Sequence, residues 1–351
     1  MRRRRLGRTH LMVSCIGLGG IPLARISRKE AVKLIHYAIE QGINFIDTAR
    51  SYEDSEEKIA EAIQDRRDRV ILATKALDRT FSGAREQIEM SLRTLRTDYI
   101  DLFQLHQVFT SSDLEKVMAP DGALAAAKQA RKEGKILHIG VSSHSPETAL
   151  AALKTGEFST VQVPFNPIEN KAAQALIPYA HSHRIGTIAM KPLAGGNLRN
   201  APLALRWVLQ HGVSSAIPGM AELREVLENC QVGTDPRRLS EKEERELQAE
   251  AERIGTRFCR RCAYCMPCPN GINIPLSLSV NFGFAWHGGD LGGDLEKARR
   301  AYATFMRKGM TASAAQCRQC KQCEQKCPYQ LPISQMMEEI TERMEEAAVK
   351  G

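Results

Sequence analysis

Short apolar runs alternate with segments of helical periodicity through the first two thirds of the chain. Runs at residues 11–20, 43–47, 70–75, 100–106, 136–141, 160–164, 186–191 and 213–217 are rich in Val, Ile and Leu and read as strands buried on both faces. Between them, apolar positions spaced by three and four predict helices. Ser27 caps the first, over residues 28–41, where Ala31, Val32, Leu34, Ile35 and Ala38 form the stripe and Gly42 is the stop. Others are expected over 55–63, 82–96, 122–133, 147–154, 171–183, 201–210 and 222–230. Eight strands, each followed by a helix, predict an α/β fold closed into a (β/α)8 TIM barrel. A charged helix over 240–253 follows as a solvated bridge.

Three consecutive strands stop on a polar residue. Phe45-Ile46 ends at Asp47, with Tyr52 in the loop beyond; residues 70–74 end at Lys75; residues 100–105 end at His106. The carboxyl ends of the strands carry the chemistry in this fold, so four groups able to bind or move a proton arrive at one rim. Singly, a strand-end Asp is as often a helix cap, and a lone Tyr or His is usually packing. Their coincidence on three neighbouring strands points to a site.

Asp47-Thr48-Ala49-x-x-Tyr52 with Glu56 after it, the strand-end Lys75 and the Leu105-His106 strand end resemble the aldo-keto reductase family over roughly residues 5–230. The resemblance implies hydride exchange between a nicotinamide cofactor and a carbonyl or alcohol. Tyr52 would be the acid, Lys75 the cation that favours its ionised form, Asp47 the partner of Lys75, and His106 the group that orients the substrate oxygen. It further implies cofactor contacts at Ser142, Ser143, Gln162, Met190, Lys191, Pro192, Leu193, Ile217, Gly219, Glu228 and Asn229. Two positions depart from the family pattern. Met190 stands where many relatives stack a tyrosine on the nicotinamide, and Gly219 and Glu225 stand where NADPH-preferring relatives carry cations, with only Arg224 nearby. A carboxylate there opposes a 2′-phosphate, so NADH and NADPH both stay open, and a flavin at the mouth is a further alternative.

With 351 residues the chain exceeds the ~250 of a typical barrel. The expected division is a barrel over 1–235, a helical linker over 236–256 and a second domain over 257–351. Hydrophobic residues make up 43%, and no run of about 18 apolar residues or apolar leader is present. A cytoplasmic protein without membrane association is expected. The net charge of +8 includes Arg2 to Arg5, but aromatics are only 5%, so a solvated or charge-paired face is expected there rather than a nucleic-acid surface. In the resembled family this segment is a hairpin closing the barrel bottom.

Ten cysteines would not form a disulfide framework in that compartment, and eight lie beyond residue 258. Cys259-x2-Cys262-x2-Cys265-x2-Cys268-Pro269 and Cys317-x2-Cys320-x2-Cys323-x3-Cys327-Pro328 resemble the bacterial ferredoxin pattern, the first run one residue short. That resemblance implies two 4Fe-4S clusters, one on Cys259, Cys262, Cys265 and Cys327, the other on Cys317, Cys320, Cys323 and Cys268. Zinc is the competing occupant of paired C-x2-C knuckles. Residues 269–275 and 328–333 read as related turns leading into helices, and residues 281–286 and a helix over 295–307 fill the insert. The expected second domain is small, mainly helical, ferredoxin-like and iron-sulfur binding, as in the iron-sulfur subgroup of the family. Cys15 and Cys230 are expected to be buried small apolar residues.

The expected activity is interconversion of a carbonyl compound and an alcohol, with the clusters exchanging electrons with a redox partner protein. The alternative is a redox sensor or electron-transfer protein whose barrel binds nicotinamide or flavin with little turnover.

Overall fold

The computed structural model describes residues 1–255, 257–260, 265–281, 295–327 and 329–345. The chain divides into two compact units, Met1–Ala251 and Glu252–Gly351.

The first unit begins with a hairpin, β1 (Arg3–Arg5) paired antiparallel with β2 (Met12–Ser14). Eight strands then form a parallel sheet in sequence order. They are β3 (Leu18–Gly19), β4 (Phe45–Asp47), β5 (Ile71–Ala76), β6 (Ile100–Leu105), β7 (Ile136–Ser142), β8 (Thr160–Pro164), β9 (Gly186–Met190) and β10 (Ser215–Ile217). Parallel bridges from Ile16 to Ala216 and from Gly19 to Gly219 close the ends into a barrel. The seam is tight: a Cβ on Gly19 would lie 2.8 Å from the Ile217 carbonyl oxygen.

Helices α1 (Arg28–Glu40), α2 (Ser55–Ile63), α3 (Phe81–Leu95), α4 (Ser111–Met118) and α5 (Ala123–Lys132) cover the first half. They are followed by α6 (Pro146–Lys154), α7 (Leu176–Ser182), α8 (Ala201–Gln210), α9 (Leu223–Thr234) and α10 (Glu241–Ile254). Ser27 caps α1, as the sequence pattern predicted, and Glu30 completes a capping box with it.

Three expectations change. The strand expected over 11–20 is two: Met12–Ser14 pairs with the arginine hairpin, and only Leu18–Gly19 joins the barrel. The helix expected over 171–183 begins as a 3-10 turn, Lys171–Ala173, and starts afresh at Leu176. Pro178, without an N–H, is thereby in the first turn of α7, where no donor is needed. An additional helix, α4, follows β6 and is started by a capping box between Thr110 and Asp113.

Side chains two apart on a strand share a face, and this parity builds the barrel interior in layers. Phe45, Ala73, Leu102, Ile188 and Ile217 form one apolar layer with Leu6 and Val13 of the hairpin segment beneath. The next positions up are Asp47, Lys75 and Gln104. A larger apolar cluster seals sheet to helices and includes Cys15 and Cys230, both buried.

In the second unit, α11 (Ile274–Asn281), α12 (Leu295–Arg307), α13 (Gln322–Gln325) and α14 (Ile333–Ile340) surround a core centred on Tyr302, Leu276, Leu278, Met336 and Ile340. The Tyr302 hydroxyl, fully buried, accepts a bond from the Ala314 N–H at 2.8 Å. The helix expected over 295–307 is found at those bounds. The turns after both cysteine runs lead into helices, α11 and α14; residues 282–286 and Pro328 lie outside the described residues. Among the described residues no helix is long and apolar enough to cross a membrane.

Asn44 locks the hairpin to the barrel. Its Oδ1 accepts the Ser14 N–H at 2.6 Å and its Nδ2 donates to the Met12 carbonyl at 2.8 Å. Asn44→Ala strands a buried N–H and is expected to cost about 2 kcal/mol, read as a lower urea midpoint at unchanged m-value.

Candidate active site

The sheet register pairs Lys75 with Gln104 across β5 and β6 and sets Asp47 beside Ala73, the inward position before Lys75. The fully buried Lys75 ammonium donates to Asp47 Oδ2 at 2.6 Å and to the Thr48 carbonyl at 2.7 Å. It lies 5.0 Å from the centroid of the Tyr52 ring. Tyr52 and His106 meet edge to face with ring centroids 5.8 Å apart. The four residues that the sequence singled out therefore come together.

The electrostatics follow from burial and charge. Burial alone would depress the Lys75 pKa, but Asp47 and Tyr52 outweigh it and raise the ammonium above its ordinary value. For Tyr52 burial is the largest influence and raises the phenol; Lys75 pulls it down and Asp47 pushes it up, and the net is upward. The depressed phenol expected beside Lys75 is thus not found: desolvation of the phenolate exceeds the attraction of a cation whose charge Asp47 already balances. His106 is held well below its usual value by burial, then by Lys75 and Arg79, so it is a neutral imidazole at pH 7.

Several supporting residues escaped the sequence reading. Gln104 Nε2 donates to Asp47 Oδ1 at 3.2 Å and to Gln162 Oε1 at 2.8 Å, and Gln162 Nε2 reaches Asp47 Oδ2 at 3.5 Å. Its signal was the period of two, which puts Gln104 on the face of His106 inside an otherwise apolar strand. Arg79 donates to the carbonyls of His106 at 2.6 Å and Gln107 at 2.7 Å, fixing the turn that carries the imidazole. Glu56, which the sequence motif did include, is buried and receives Arg50, Thr74 and Ser91, tying α2 to β5 and α3 behind the Tyr52 loop.

The positions expected to hold a dinucleotide divide. Ser142 and Ser143 are buried at the end of β7; the Ser142 hydroxyl accepts the Gln107 N–H at 3.1 Å, and Ser143 bonds within its own turn to Ser145. Met190 ends β9 and Lys191 follows it; Lys191 Nζ lies 3.0 Å from His144 Nε2, a residue that sequence reasoning missed although it directly follows the serine pair. Pro192 is buried, half-buried Leu193 packs on the main core, and Ile217 belongs to the inner layer and pairs with Met190 across β10 and β9. Gly219 and Glu228 are exposed and Asn229 is buried in α9. Glu225 Oε2 accepts the N–H groups of Ala221 at 2.7 Å and Glu222 at 3.1 Å, so the expected carboxylate is a cap that neutralises the start of α9.

Two buried atoms at this rim, His106 Nδ1 and Gln104 Oε1, have no hydrogen-bond partner among the described residues, and neither has Asn229 Oδ1 in α9. An unmet buried polar atom costs about 1–3 kcal/mol, so the rim is built for a polar ligand, and a carboxamide with its donors and acceptor fits it.

In the second unit Cys265, Cys268, Cys317, Cys320 and Cys323 line a single cavity, walled by Ile272 and other apolar side chains. Cys259 and Cys327 pack against the adjoining core, and Cys262 lies outside the described residues. Cys268, Cys317, Cys320, Cys323 and Cys327 are in no disulfide. Among the described residues no group of three or more His, Cys, Asp or Glu side chains is placed to hold a metal ion. Gln319 and Lys321, between the cysteines, hold left-handed backbone (φ 51 and 56), the bend used by backbone nests around anionic iron-sulfur centres. The donor set and the bend fit a cluster.

The profile of the Aldo/keto reductase family matches residues 15–202. The uncharacterized oxidoreductase YqkF of Bacillus subtilis is 29% identical over 306 residues, covering 72% of this chain and 97% of that protein. Methylglyoxal reductase YeaE of Escherichia coli is 30% identical over 232 residues, 58% of this chain and 79% of that one. Among solved structures, an aldo/keto reductase from Klebsiella pneumoniae in complex with NADP and acetate superposes with a TM-score of 0.59 at 26% identity, over 71% of this chain and 95% of that one. The fold and site so described are those of a (β/α)8 oxidoreductase. The chain belongs to the aldo/keto reductase family.

The depressed His106 pKa sets a pH dependence. Unfolded His106 takes a proton near pH 6.5 whereas the native imidazole resists it, so the unfolded state binds more protons as pH falls below that value. Unfolding free energy is expected to fall from pH 7 toward pH 5. The decline should be shallower in His106→Asn, measured by urea titration at each pH.

Proposed function

We propose that the barrel reduces a small carbonyl compound, or oxidises the corresponding alcohol, with a nicotinamide dinucleotide lying across the mouth. The observation that carries this reading is the buried Lys75–Asp47 pair with the Tyr52 ring over the ammonium and His106 beside it. When bound, the nicotinamide supplies the hydride. Neutral His106 donates a hydrogen bond to the carbonyl oxygen and sets it against Tyr52. As the oxygen gains charge, the Tyr52 hydroxyl delivers its proton, and the phenolate left behind is met by Lys75. A raised phenol pKa keeps that proton in place until charge develops, and Asp47 keeps Lys75 charged and aimed.

Ser142, Ser143 and Gln162 would hold the carboxamide end, with Met190 and Ile217 against the ring. The long 3.5 Å contact from Gln162 to Asp47 is the one most readily exchanged for a ligand. Glu225 at the start of α9 opposes a 2′-phosphate, favouring NADH over NADPH in this reading, although the Klebsiella relative was solved with NADP.

The second unit is proposed to hold two 4Fe-4S clusters. One would rest on Cys268, Cys317, Cys320 and Cys323, supported by their shared cavity; the other on Cys259, Cys262, Cys265 and Cys327. Such clusters supply single-electron transfer to a redox partner.

Tyr52→Phe is expected to lower kcat by roughly 10²–10⁴ with NADH affinity little changed, by steady-state kinetics and fluorescence titration. Retained turnover would sink the assignment of Tyr52 as the acid. Iron analysis of protein purified without oxygen should give about eight irons, and about four for Cys320→Ala. Zinc in place of iron would overturn the cluster reading.

A further inference from the structure

At the amino-terminal ends of the strands, opposite the catalytic rim, lies a cleft of about 1190 Å³ counting its open mouth. Its lining carries arginines from two segments, with histidines beside them. Arg5, Arg8 and His10 come from the hairpin, and His181, His183 and Arg184 come from the junction of α7 and β9. The hydroxyl residues Thr187 and Ser214 complete the wall at the starts of β9 and β10.

Among the described residues none of these arginines is ion-paired, and the side chains of Arg5 and Arg184 form no hydrogen bond. Of the solvated or charge-paired face expected for the arginine run, the solvated form is the one found: Arg2, Arg3 and Arg5 are exposed. The cations are also held close together. A bridge from Gly7 to Ile185 pins the hairpin loop to the segment before β9, and a Cβ on Gly7 would lie 2.2 Å from the Gly186 nitrogen. Arg8 donates to the carbonyls of Gly156 at 2.7 Å and Phe158 at 2.8 Å through one nitrogen, leaving its other donors unused. Half-buried Arg4 props the floor by donating to the carbonyls of Leu209 at 3.0 Å and Val213 at 2.6 Å. His10 and Arg184 hold left-handed backbone (φ 63 and 54), so the turns presenting them are tightly bent.

Like charges kept together by backbone pairing, with no carboxylate among them, are compensated only by an anion. Guanidinium forks match phosphate oxygens in pairs, and cations from two separate segments require more than one phosphate to reach them all. We propose that this cleft binds a polyphosphate chain, free or as part of a nucleotide. Its concavity and the absence of a flat aromatic-lined face distinguish it from a nucleic-acid surface. A ligand bridging the hairpin and the α7–β9 junction also cross-links the barrel floor, so binding stabilises the fold.

The test uses the full-length protein with inorganic triphosphate, ATP and orthophosphate as probes, read by calorimetry and by Tm. Triphosphate is expected to raise Tm by about 5 °C at a hundredfold excess over Kd, and orthophosphate not to. The double variant Arg5→Ala/Arg184→Ala should weaken triphosphate at least about tenfold while its carbonyl reduction, which reports an intact barrel, is unchanged. Equal affinity for triphosphate and ATP assigns the site to the phosphate chain alone; tighter ATP adds a nucleoside contact. Absence of saturable binding overturns the proposal. So does binding that survives the double variant, binding lost instead in Lys191→Ala at the opposite rim, or preference for an RNA oligonucleotide over triphosphate.

Discussion

A fully buried ammonium governs the mouth of the barrel. Lys75 is enclosed on all sides, and an unpaired charge so placed would neutralise itself or unfold its surroundings. Asp47 on the neighbouring strand answers it, Gln104 and Gln162 answer Asp47, and the Thr48 carbonyl takes a further donor. Removing any member exposes a charge to a low-dielectric interior, so strand register, side-chain identity and catalytic geometry are one constraint. The same balance explains the two unusual protonation states beside it. With Lys75 already compensated, burial dominates at Tyr52 and holds the phenol neutral, and at His106 it holds the imidazole neutral.

The layers below and behind the pair serve its placement. Phe45, Ala73 and Leu102 occupy the preceding inward positions of the same three strands, so the apolar floor sets the height at which Asp47, Lys75 and Gln104 emerge. Glu56, buried between α2, β5 and α3, anchors the loop that carries Tyr52. The second unit has its own core of Tyr302 and surrounding aliphatic residues, and its thiols ring a cavity rather than a point. A nicotinamide passes two electrons at once and an iron-sulfur cluster passes one, so the two proposed sites would work as independent centres.

Most of the barrel was legible because its strands are buried on both faces and therefore announce themselves as unbroken apolar runs. Asp47, Lys75 and His106 were legible because each interrupts such a run at its end. The division of residues 11–20 was not, since Met12–Ser14 and Leu18–Gly19 are equally apolar and only the distant pairing with Arg3–Arg5 separates them. The start of α4 was written in Thr110 and Asp113, but its apolar positions are too sparse to mark a helix by period. Gln104 was within reach of the strand parity. The upward shift of Tyr52, the capping role of Glu225 and the pairing of Lys191 with His144 depend on burial and side-chain direction, which no local pattern encodes.

The most direct test of the account follows the hydride. In a single anaerobic turnover with an aldehyde and NADH deuterated at its transferable position, the label should appear on the carbinol carbon of the product while the iron-sulfur absorbance stays constant. Product carrying hydrogen from solvent at that carbon, or bleaching of the clusters during turnover, would contradict direct transfer and show that electrons pass through a separate carrier.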